Sequence, residues 1–410
     1  MQTATPTTRP KIVIVGGGFG GITAAQHLSK RAGSCDITLI SKDPIFEYYP
    51  ALYKLVTGAL AIEVSLPLHN ITRLRRVAIE QGTFVKNDTA RRVIMLEGGK
   101  EIAYDYLVLA LGSETNYFNI PGLPELSYSF KSVKEALRLK RHFCDLFSAA
   151  VGMKKEDAVA KLHTVIVGGG PSGVELAGDL THYLRDLART FTLDPSLVTI
   201  DLIEAANRIL PTFSEKASRK ADKRLRMLGV NIYTNRAVME QDINEVSMGS
   251  MNFKSNTVIW TAGTRINSAY QAVSGVTFTD RKRVDVNDFL ALPHDDRVFV
   301  IGDGAGTKHS GLAQTAIYDG RYIARHITTL LKGSKPKPYV PPRVSYLVSV
   351  GNWWALFVSG NKIFKGALPW IMRTAVDLRY LLSIMPLRHV IAVIRKGHNY
   401  RHSKTYCPME

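Results

Sequence analysis

Two stretches of this chain, Lys11 to Ile40 and Thr164 to Glu204, share one order of features. In each, a β-branched apolar run stops at a glycine cluster, a helical composition follows, and a second apolar run closes the stretch. This order predicts a strand, a tight turn, a helix and a second, parallel strand. Two such units in 410 residues predict two doubly wound α/β domains.

The glycines of both turns have GxGxxG spacing. They are Gly16, Gly18 and Gly21 in the first copy and Gly168, Gly170 and Gly173 in the second. The first glycine permits a tight turn, the second lets backbone approach a pyrophosphate, and the third lets helix and strand pack closely. The positive end of the helix favours the anion. Each unit therefore predicts a dinucleotide site.

The polar residues that follow the turns differ between the copies. An acid that binds ribose is expected about 20 residues after the glycines, but the first copy has Ser41 there, whose hydroxyl can still contact a ribose. The second copy has Glu204, which accepts from both ribose hydroxyls and repels a 2′-phosphate, so NADH is favoured, although Arg208 leaves NADPH open. Glu175 lies two residues after the last glycine, on the first turn of the second helix, where the dipole favours a negative charge. A simple helix-start acid is the alternative for Glu175.

Three further apolar runs end at glycine, at Gly112, Gly263 and Gly302. Asp303 follows the last of them, where a carboxylate can accept a hydrogen bond from a flavin ribityl hydroxyl. A glycine–aspartate pair after a strand is also a common turn. The pair indicates a flavin contact here because it follows two predicted dinucleotide-binding turns in the same chain.

Nine segments together resemble the two-dinucleotide flavoprotein reductases, and most closely the type II NADH dehydrogenases. They are IVGGGFGG (14–21), YYPALYKLVTG (48–58), DYLVLALGSETNYFNIPG (105–122), VIVGGGPSGVELAG (165–178), EAANRILP (204–211), WTAG (260–263), VFVIGDGA (298–305), AQTAIYDG (313–320) and VDLRYL (376–381). The resemblance covers nearly the whole chain. It implies FAD at the first glycine turn and NADH at the second.

The resemblance also implies the residues that form each site. Those expected to hold FAD are Gly16, Gly18, Phe19, Gly20, Gly21, Ser41, Lys42, Pro50, Ala110, Gly112, Gly302, Asp303 and Ala313. Those expected to hold NADH, or to line its pocket, are Gly168, Gly170, Pro171, Ser172, Gly173, Glu204, Ala262 and Gly263. Glu175 is expected near the nicotinamide, and Gln314 and Tyr318 at the quinone end.

The quinone motif departs from the family pattern. The family has AQxAxQ, and this chain keeps Gln314 but has Tyr318 at the second glutamine position. Tyrosine still donates a hydrogen bond and stacks on a ring, yet it is bulkier. A helix residue bonded to loop backbone is the alternative role for Gln314.

The cysteines and histidines exclude several related chemistries. Cys35, Cys144 and Cys407 are too few and too scattered for a disulfide framework or a cysteine metal site, which fits a reducing cytosol. Thiol–disulfide and sulfide:quinone reductases need cysteines beside the flavin, and that pattern is absent. Cys144 is interpreted as a packed helix thiol. No paired metal-ligand spacing occurs among the histidines, so no metal is predicted.

The sequence predicts four parts. Residues 1–10 are expected to form a disordered leader, 11–155 with 275–335 a discontinuous FAD-binding domain, 156–274 an NADH-binding domain, and 336–410 a C-terminal segment that associates with the membrane and contributes to the quinone site. The net charge of +18 is concentrated toward the end of the chain, in a stretch that is also rich in tryptophan and aliphatic residues. Arg373 and Asp377 interrupt its apolar runs, so interfacial membrane helices are favoured over a spanning helix. Packing on the flavin domain is the alternative.

The leading hypothesis is an FAD-dependent, non-pumping NADH:quinone oxidoreductase, bound peripherally at the cytoplasmic face of the cell membrane. A flavoprotein similar to apoptosis-inducing factor, with a binding or signalling role, is one alternative. An enzyme that reduces a protein carrier is another. No motif supports nucleic-acid binding, and a homodimer is left open.

Overall fold

The computed structural model describes residues 9–31, 35–71, 74, 76–248, 251–402 and 407, with side chains up to 397 and at 407. The chain forms two compact units. Unit 1 comprises Met1–Glu47, Leu66–Glu114 and Thr264–Val344. Unit 2 comprises Tyr48–Ser65, Thr115–Gly263 and Ser345–Glu410.

Runs of strands are separated by α-helices along the chain. The strands are β1 (Lys11–Val15), β2 (Asp36–Ser41), β3 (Ile45–Glu47), β4 (Ser65–Pro67), β5 (Ala78–Gln81), β6 (Phe84–Asp88), β7 (Val93–Leu96), β8 (Glu101–Ala103), β9 (Tyr106–Leu109), β10 (Ser113–Thr115), β11 (Thr164–Val167), β12 (Ile200–Ile203), β13 (Val230–Tyr233), β14 (Glu240–Asp242), β15 (Glu245–Met248), β16 (Met251–Lys254), β17 (Thr257–Trp260), β18 (Thr264–Ile266), β19 (Ala291–Leu292), β20 (Asp295–Val300), β21 (Tyr346–Ser349), β22 (Ala355–Ser359) and β23 (Lys362–Gly366). The α-helices are α1 (Phe19–Arg31), α2 (Leu52–Val56), α3 (Leu123–Leu126), α4 (Val133–Ala150), α5 (Lys155–Leu162), α6 (Pro171–Thr190), α7 (Glu215–Leu228), α8 (Ala313–Leu331), α9 (Ala367–Ile384) and α10 (Leu387–His402).

Unit 1 is built on a six-stranded sheet with the order β19-β20-β9-β1-β2-β5. Its neighbours are parallel except for the β19–β20 edge pair. The central strand β1 is apolar after its first residue because it is covered on both faces. Helices α1 and α8 pack against each other, and an added Cβ on Gly320 would lie 2.5 Å from the Gly20 oxygen. Only glycine permits this close approach.

Unit 2 has a four-stranded parallel sheet with the order β13-β12-β11-β17. Two antiparallel three-stranded sheets complete it, β14-β15-β16 and β21-β22-β23. Helix α6 follows the glycine turn after β11 and is largely buried. Each unit therefore contains one strand–glycine–helix turn on a parallel sheet, which confirms the predicted α/β fold class.

The C-terminal residues form the β21-β22-β23 sheet and then helices α9 and α10, all within unit 2. Many apolar side chains of the two helices are exposed, including Leu368, Ile371, Leu387, Ile391 and Ile394. Among the helices of the described ranges, none is both long and apolar enough to cross a membrane.

One sequence expectation is wrong. Cys144 is not a packed thiol, because its sulfur is bonded to that of Cys407, 263 residues further along the chain. Scattered spacing does not exclude a disulfide, since folding brings distant residues together and the bond depends on the Cα separation and the Cβ directions in the folded chain. Here that separation is 5.8 Å. Cys35 takes part in no disulfide.

Candidate functional site

The first glycine turn joins β1 to α1. Gly16 has a φ of +120°, and an added Cβ would lie 2.1 Å from the Ala110 carbonyl oxygen. Gly21 is equally constrained, because its Cβ would lie 1.9 Å from the Gly16 oxygen. By contrast, nothing in the described residues lies within 4 Å of a Cβ on Gly18. The turn therefore packs against protein at its first and third glycines and is open at its second, where a pyrophosphate fits.

The residues around this turn separate into packing and polar roles. Phe19 is buried edge-on against Phe46, at 5.0 Å between ring centroids. Gly20 faces Ile301 and the Ala316 backbone, so it serves the contact between α1 and α8. Ser41 ends β2 and is buried, with Oγ only 2.4 Å from where a Gly17 Cβ would be. The next residue, Lys42, is exposed.

The second glycine turn joins β11 to α6 and repeats this geometry. Gly168 has a φ of +111°, and its added Cβ would lie 2.7 Å from the backbone of Ala262. A Cβ on Gly173 would lie 1.9 Å from the Gly168 oxygen, whereas one on Gly170 meets no described atom within 4 Å. Pro171 occupies the first helical turn, where a missing N–H removes no helical hydrogen bond.

The Glu204 carboxylate lies directly against this second turn. Its Oε2 accepts from the Gly169 N–H at 2.7 Å and its Oε1 from the Ala206 N–H at 2.7 Å. Glu204 is half-buried, so it is a fixed part of the turn and not a freely solvated strand-end acid. Each oxygen retains a further lone pair for a hydroxyl. Arg208 donates to the carbonyl oxygens of Leu210, Phe213 and Pro211.

Ser172 and Gly263 are the other predicted residues near this turn. Ser172 is exposed on the first turn of α6. Gly263 follows β17, and an added Cβ would lie 2.8 Å from the Phe118 ring.

The glycine-ended strands of unit 1 carry a polar cluster. Gly112 and Gly302 both have positive φ, at +73° and +72°. Ser113 donates to Asp303, while the Gly302 N–H donates to Asp319 at 3.0 Å. Asp319 is fully buried and also accepts from the Tyr339 hydroxyl at 2.7 Å. Burial raises the pKa of Asp319 to about 6, although both hydrogen bonds oppose the shift.

Helix α8 carries the residues expected at the quinone end. Ala313 begins the helix and is half-buried, and Gln314 is exposed on its first turn. Tyr318, one turn further on, is half-buried with its ring edge-on to Tyr339 at 5.9 Å between centroids. Tyr318 therefore adjoins the residue that supports Asp319.

In unit 2, Glu175 belongs to a buried ionic cluster. It is 9% exposed, and its Oε1 accepts from the Ser349 N–H at 3.2 Å. The Arg373 Nε from α9 lies 3.8 Å from the same oxygen. This Nε has no hydrogen-bond partner among the described residues. The two side chains thus form an ion pair without a hydrogen bond between them.

Arg373 also connects Asp377 and Pro50 to the cluster. Its Nη1 donates to Asp377 Oδ1 at 2.9 Å, one turn along α9, and its Nη2 donates to the Pro50 carbonyl oxygen. Asp377 in turn accepts from the Tyr48 hydroxyl at 2.6 Å and from Lys54 Nζ at 3.1 Å. Pro50 therefore takes part in this cluster through its backbone oxygen.

Burial raises the pKa of two carboxyls on α6, those of Glu175 and Asp179. It raises the pKa of Glu175 to about 7, against the opposing effects of Arg373 and the Ser349 amide. It also raises the pKa of Asp179, one turn further on, to about 7 against the charge of Lys54. The sequence indicated that the helix dipole favours ionised Glu175, but desolvation outweighs that effect here.

Sequence reasoning missed most members of this cluster. Arg373 and Asp377 were interpreted as charges that interrupt an interfacial helix, yet each is only 8% exposed. Their spacing of four residues places them on one helix face, which is the one local signal of an internal pair. Nothing local in the sequence links them to Tyr48, Lys54 or Glu175.

The predicted residues therefore fall into separate groups. Unit 1 brings together the first glycine turn, Ser41, Ala110 and the Gly302–Asp303 turn. Unit 2 brings together the second glycine turn, Glu204 and Ala262, and separately Glu175 and Pro50. Within the described residues, no group of three or more His, Cys, Asp or Glu side chains is suited to a metal ion.

Comparisons with known proteins agree with this geometry. Residues 10–320 match the pyridine nucleotide-disulphide oxidoreductase family. The type II NADH:quinone oxidoreductase Ndh of Mycobacterium tuberculosis is 30% identical over 403 residues, covering 93% of this chain and 86% of that protein. The type II NADH:quinone oxidoreductase of Haemophilus influenzae is 28% identical over 393 residues, covering 87% of this chain and 88% of that one.

A solved structure shares the fold. The NDH2 structure from Plasmodium falciparum, in complex with NADH, has a TM-score of 0.87 at 17% identity, covering 98% of this chain and 100% of that chain. Two glycine turns of one geometry, a family match over most of the chain and relatives that are similar along most of their length point to one assignment. This chain belongs to the pyridine nucleotide-disulphide oxidoreductases and, among them, to the type II NADH:quinone oxidoreductase family.

Proposed function

We infer that this chain is an FAD-dependent enzyme that oxidises NADH and reduces a membrane quinone by two electrons. The observation that carries this conclusion is the pair of glycine turns, each closed at its first and third glycines and open at its second. The type II NADH:quinone oxidoreductase relatives support the same reaction.

The residues of unit 1 fit a flavin dinucleotide. The open side of Gly18 and the start of α1 favour a pyrophosphate, and the Ser41 hydroxyl suits a ribose. The Asp303 carboxylate lies near Gly112 and Gly302, both of which have positive φ, and it is suited to accept a hydrogen bond from a ribityl hydroxyl. When bound there, FAD supplies the redox chemistry, accepting a hydride equivalent and returning two electrons.

The residues of unit 2 fit NADH. Gly168, Gly170 and Gly173 leave the start of α6 accessible to a pyrophosphate, and Glu204 is held by two backbone amides beside them. This fixed carboxylate binds ribose hydroxyls and repels a 2′-phosphate. We therefore propose a preference for NADH over NADPH.

Glu175 is proposed to hold the proton that quinone reduction requires. A hydride carries two electrons and one proton, whereas a quinol needs two protons, so one comes from solution. A carboxyl with a pKa of about 7 exchanges a proton readily at neutral pH. The positive charge of Arg373 stabilises the Glu175 anion. It therefore opposes the rise in pKa that burial causes and keeps this pKa near neutrality.

We propose that Gln314 and Tyr318 lie at the quinone end. The exposed Gln314 amide can donate to a quinone oxygen, and the Tyr318 ring can pack on an aromatic head group. The half-buried position of Tyr318 against Tyr339 supports a stacking role. The tyrosine replaces the amide of the family pattern and so alters head-group selectivity.

We propose that helices α9 and α10 lie on the cytoplasmic face of the cell membrane. Their exposed apolar side chains include Leu368, Ile371, Leu387, Ile391 and Ile394, and basic residues such as Arg388 and Arg395 accompany them. This combination is typical of helices that lie in the interface and attract anionic lipid. A lipid-soluble quinone would then reach the enzyme from the bilayer.

Anaerobic stopped-flow absorbance of the purified holoprotein tests the function. NADH is expected to bleach the flavin band, and a soluble quinone analogue is expected to restore it faster than oxygen does. Mass identification of the cofactor released by heat should give FAD. A flavin that NADH does not bleach, or that quinone does not reoxidise, would contradict the proposal.

A further inference from the structure

Asp319 is a fully buried carboxyl on α8 that the proposed reaction does not use. Its Oδ2 accepts from the Gly302 N–H at 3.0 Å and its Oδ1 from the Tyr339 hydroxyl at 2.7 Å. Burial raises its pKa to about 6, so the carboxyl is largely ionised at neutral pH and both oxygens act as acceptors. A buried anion is costly unless it is hydrogen-bonded. The two donors therefore stabilise an anion that burial alone would disfavour.

The bond to Gly302 connects two elements of unit 1 that are expected to hold the flavin. Gly302 begins the turn that carries Asp303, and α8 begins at Ala313. The turn lies directly against α8, since a Cβ on Gly302 would be 3.4 Å from the Ala316 Cβ. Because Asp319 is on α8 and Gly302 is in the turn, their bond fixes the Asp303 carboxylate relative to the start of the helix.

The bond to Tyr339 comes from the segment that follows α8, residues 335–341. The Tyr339 N–H donates to the Asp288 carbonyl oxygen at 2.7 Å, and its ring packs edge-on to Tyr322 at 5.2 Å between centroids. Tyr322 holds the same segment at another point, because its hydroxyl donates to the Lys337 carbonyl oxygen at 2.9 Å. The Tyr339 hydroxyl therefore holds this segment through Asp319, and the Tyr322 hydroxyl holds it through backbone.

We propose that Asp319 is a positioning residue for the flavin, which joins the Gly302–Asp303 turn to α8 when Tyr339 supplies its second hydrogen bond. This inference rests on the proposed assignment of FAD to unit 1. Asp319 acts through Asp303, because it sets the position at which the Asp303 carboxylate meets a ribityl hydroxyl. Without Asp319, this bond no longer holds the turn to the start of α8, so FAD should bind more weakly and in a less uniform environment.

Four variants of the full-length holoprotein test the role of Asp319. Asp319→Ala removes both hydrogen bonds, and Tyr339→Phe removes one of them. Asp319→Asn keeps the shape and both bonds, because its carbonyl oxygen accepts from the Gly302 N–H and its amide donates to the Tyr339 hydroxyl, which can also accept. Tyr322→Phe is the matched control, since it removes the other tyrosine hydroxyl that holds the same segment.

The first measurement is the rate at which diluted holoprotein releases FAD, followed by the rise of free-flavin fluorescence. Release is expected to be at least about tenfold faster in Asp319→Ala and about threefold to tenfold faster in Tyr339→Phe, because both variants lose hydrogen bonds to a charged group. Asp319→Asn and Tyr322→Phe should stay within about twofold of wild type. The second measurement is the visible circular dichroism of the bound flavin, which should change in Asp319→Ala and Tyr339→Phe only.

A separate measurement excludes misfolding as the cause. Far-ultraviolet circular dichroism reports whether each variant folds. If Asp319→Ala does not fold, the comparison of Tyr339→Phe with Tyr322→Phe decides, because both of these variants keep the buried carboxyl.

Three outcomes would overturn the positioning role. These are FAD release and flavin circular dichroism that are unchanged in folded Asp319→Ala or in Tyr339→Phe, equal effects in Tyr339→Phe and Tyr322→Phe, or an Asp319→Asn variant that behaves like Asp319→Ala. Wild-type protein that carries no FAD, or whose flavin NADH does not bleach, would instead contradict the proposed function. Bleaching in wild type with equal FAD release in all forms would contradict the positioning role alone.

Discussion

The two glycine turns are nearly identical in backbone and different in charge. In both, the first glycine has a φ above +110° and the third would place a Cβ 1.9 Å from the carbonyl oxygen of the first. The strand-end residue is buried Ser41 in one and half-buried Glu204 in the other. On the following helix, Thr23 stands where the second copy has Glu175. Backbone packing therefore sets the geometry that the two turns share. The carboxylates of Glu204 and Glu175 distinguish the second turn from the first.

The largest expected effect comes from the shared backbone. Gly21→Ala and Gly173→Ala each force a Cβ against a carbonyl oxygen, an overlap that costs about 1–3 kcal/mol or more. Flavin absorbance should show that G21A retains less than about a tenth of the bound FAD. Titration should show that G173A keeps its flavin but binds NADH about 100-fold more weakly.

Gly170→Ala is the matched control for this pair. Its added Cβ meets no described atom, so the fold should be unaffected and only the approach of the pyrophosphate is lost. Thermal melting separates the two causes, since G170A should melt like wild type. If G21A and G173A both lost flavin equally, the assignment of one cofactor to each turn would fail.

The next effect tests the strand-end carboxylate. Glu204→Gln keeps the shape but removes the charge that favours ribose hydroxyls, which should weaken NADH binding about 10–100-fold. The preference for NADH over NADPH should fall, because a 2′-phosphate is no longer repelled. Steady-state kinetics with both nucleotides measures this change. An unchanged preference would show that Arg208 or another residue sets it.

Glu175 gives a pH-dependent effect. Its carboxyl has a raised pKa of about 7, so it is protonated below that pH and loses its proton as the pH rises through it. Reoxidation of reduced flavin by quinone should therefore slow above pH 7 in wild type, and this slowing should be absent in Glu175→Gln. Stopped-flow measurements from pH 5.5 to 9 test it.

Arg373 provides the control for that pH profile. Arg373→Gln removes a positive charge that opposes the burial effect, so the midpoint should move to higher pH, while Arg373→Lys should largely restore it. Bleaching of flavin by NADH should be little changed across this range. A pH profile that is identical in wild type and Glu175→Gln would remove Glu175 from the proton step.

The smallest effect is expected at the first strand end. Ser41→Ala removes one neutral hydroxyl, which is worth about 0.5–1.5 kcal/mol, so FAD affinity should fall about threefold. Equilibrium dialysis of the deflavinated protein measures it. If FAD affinity fell as much in Ser41→Ala as NADH affinity falls in Glu204→Gln, the two strand-end residues would contribute equally to nucleotide binding.

The parts of the fold that follow local rules were predictable. Apolar runs that stop at Gly16 and Gly168 identified both glycine turns, because a GxGxxG sequence after a strand permits few other backbone conformations. The packing role of Gly20 was not apparent, since it depends on α8, nearly 300 residues further along the chain. The nicotinamide role of Glu175 remains a prediction.

The sequence alone determined the α/β class, the two glycine turns and the contrast between Ser41 and Glu204. These depend on residues within one strand–helix–strand unit, where backbone sterics and short-range hydrogen bonds act. Only the tertiary structure decided that Arg373 and Asp377 are buried beside Glu175 and that Cys144 meets Cys407. Burial and long-range contacts set these features, and neither is encoded in the spacing of neighbouring residues.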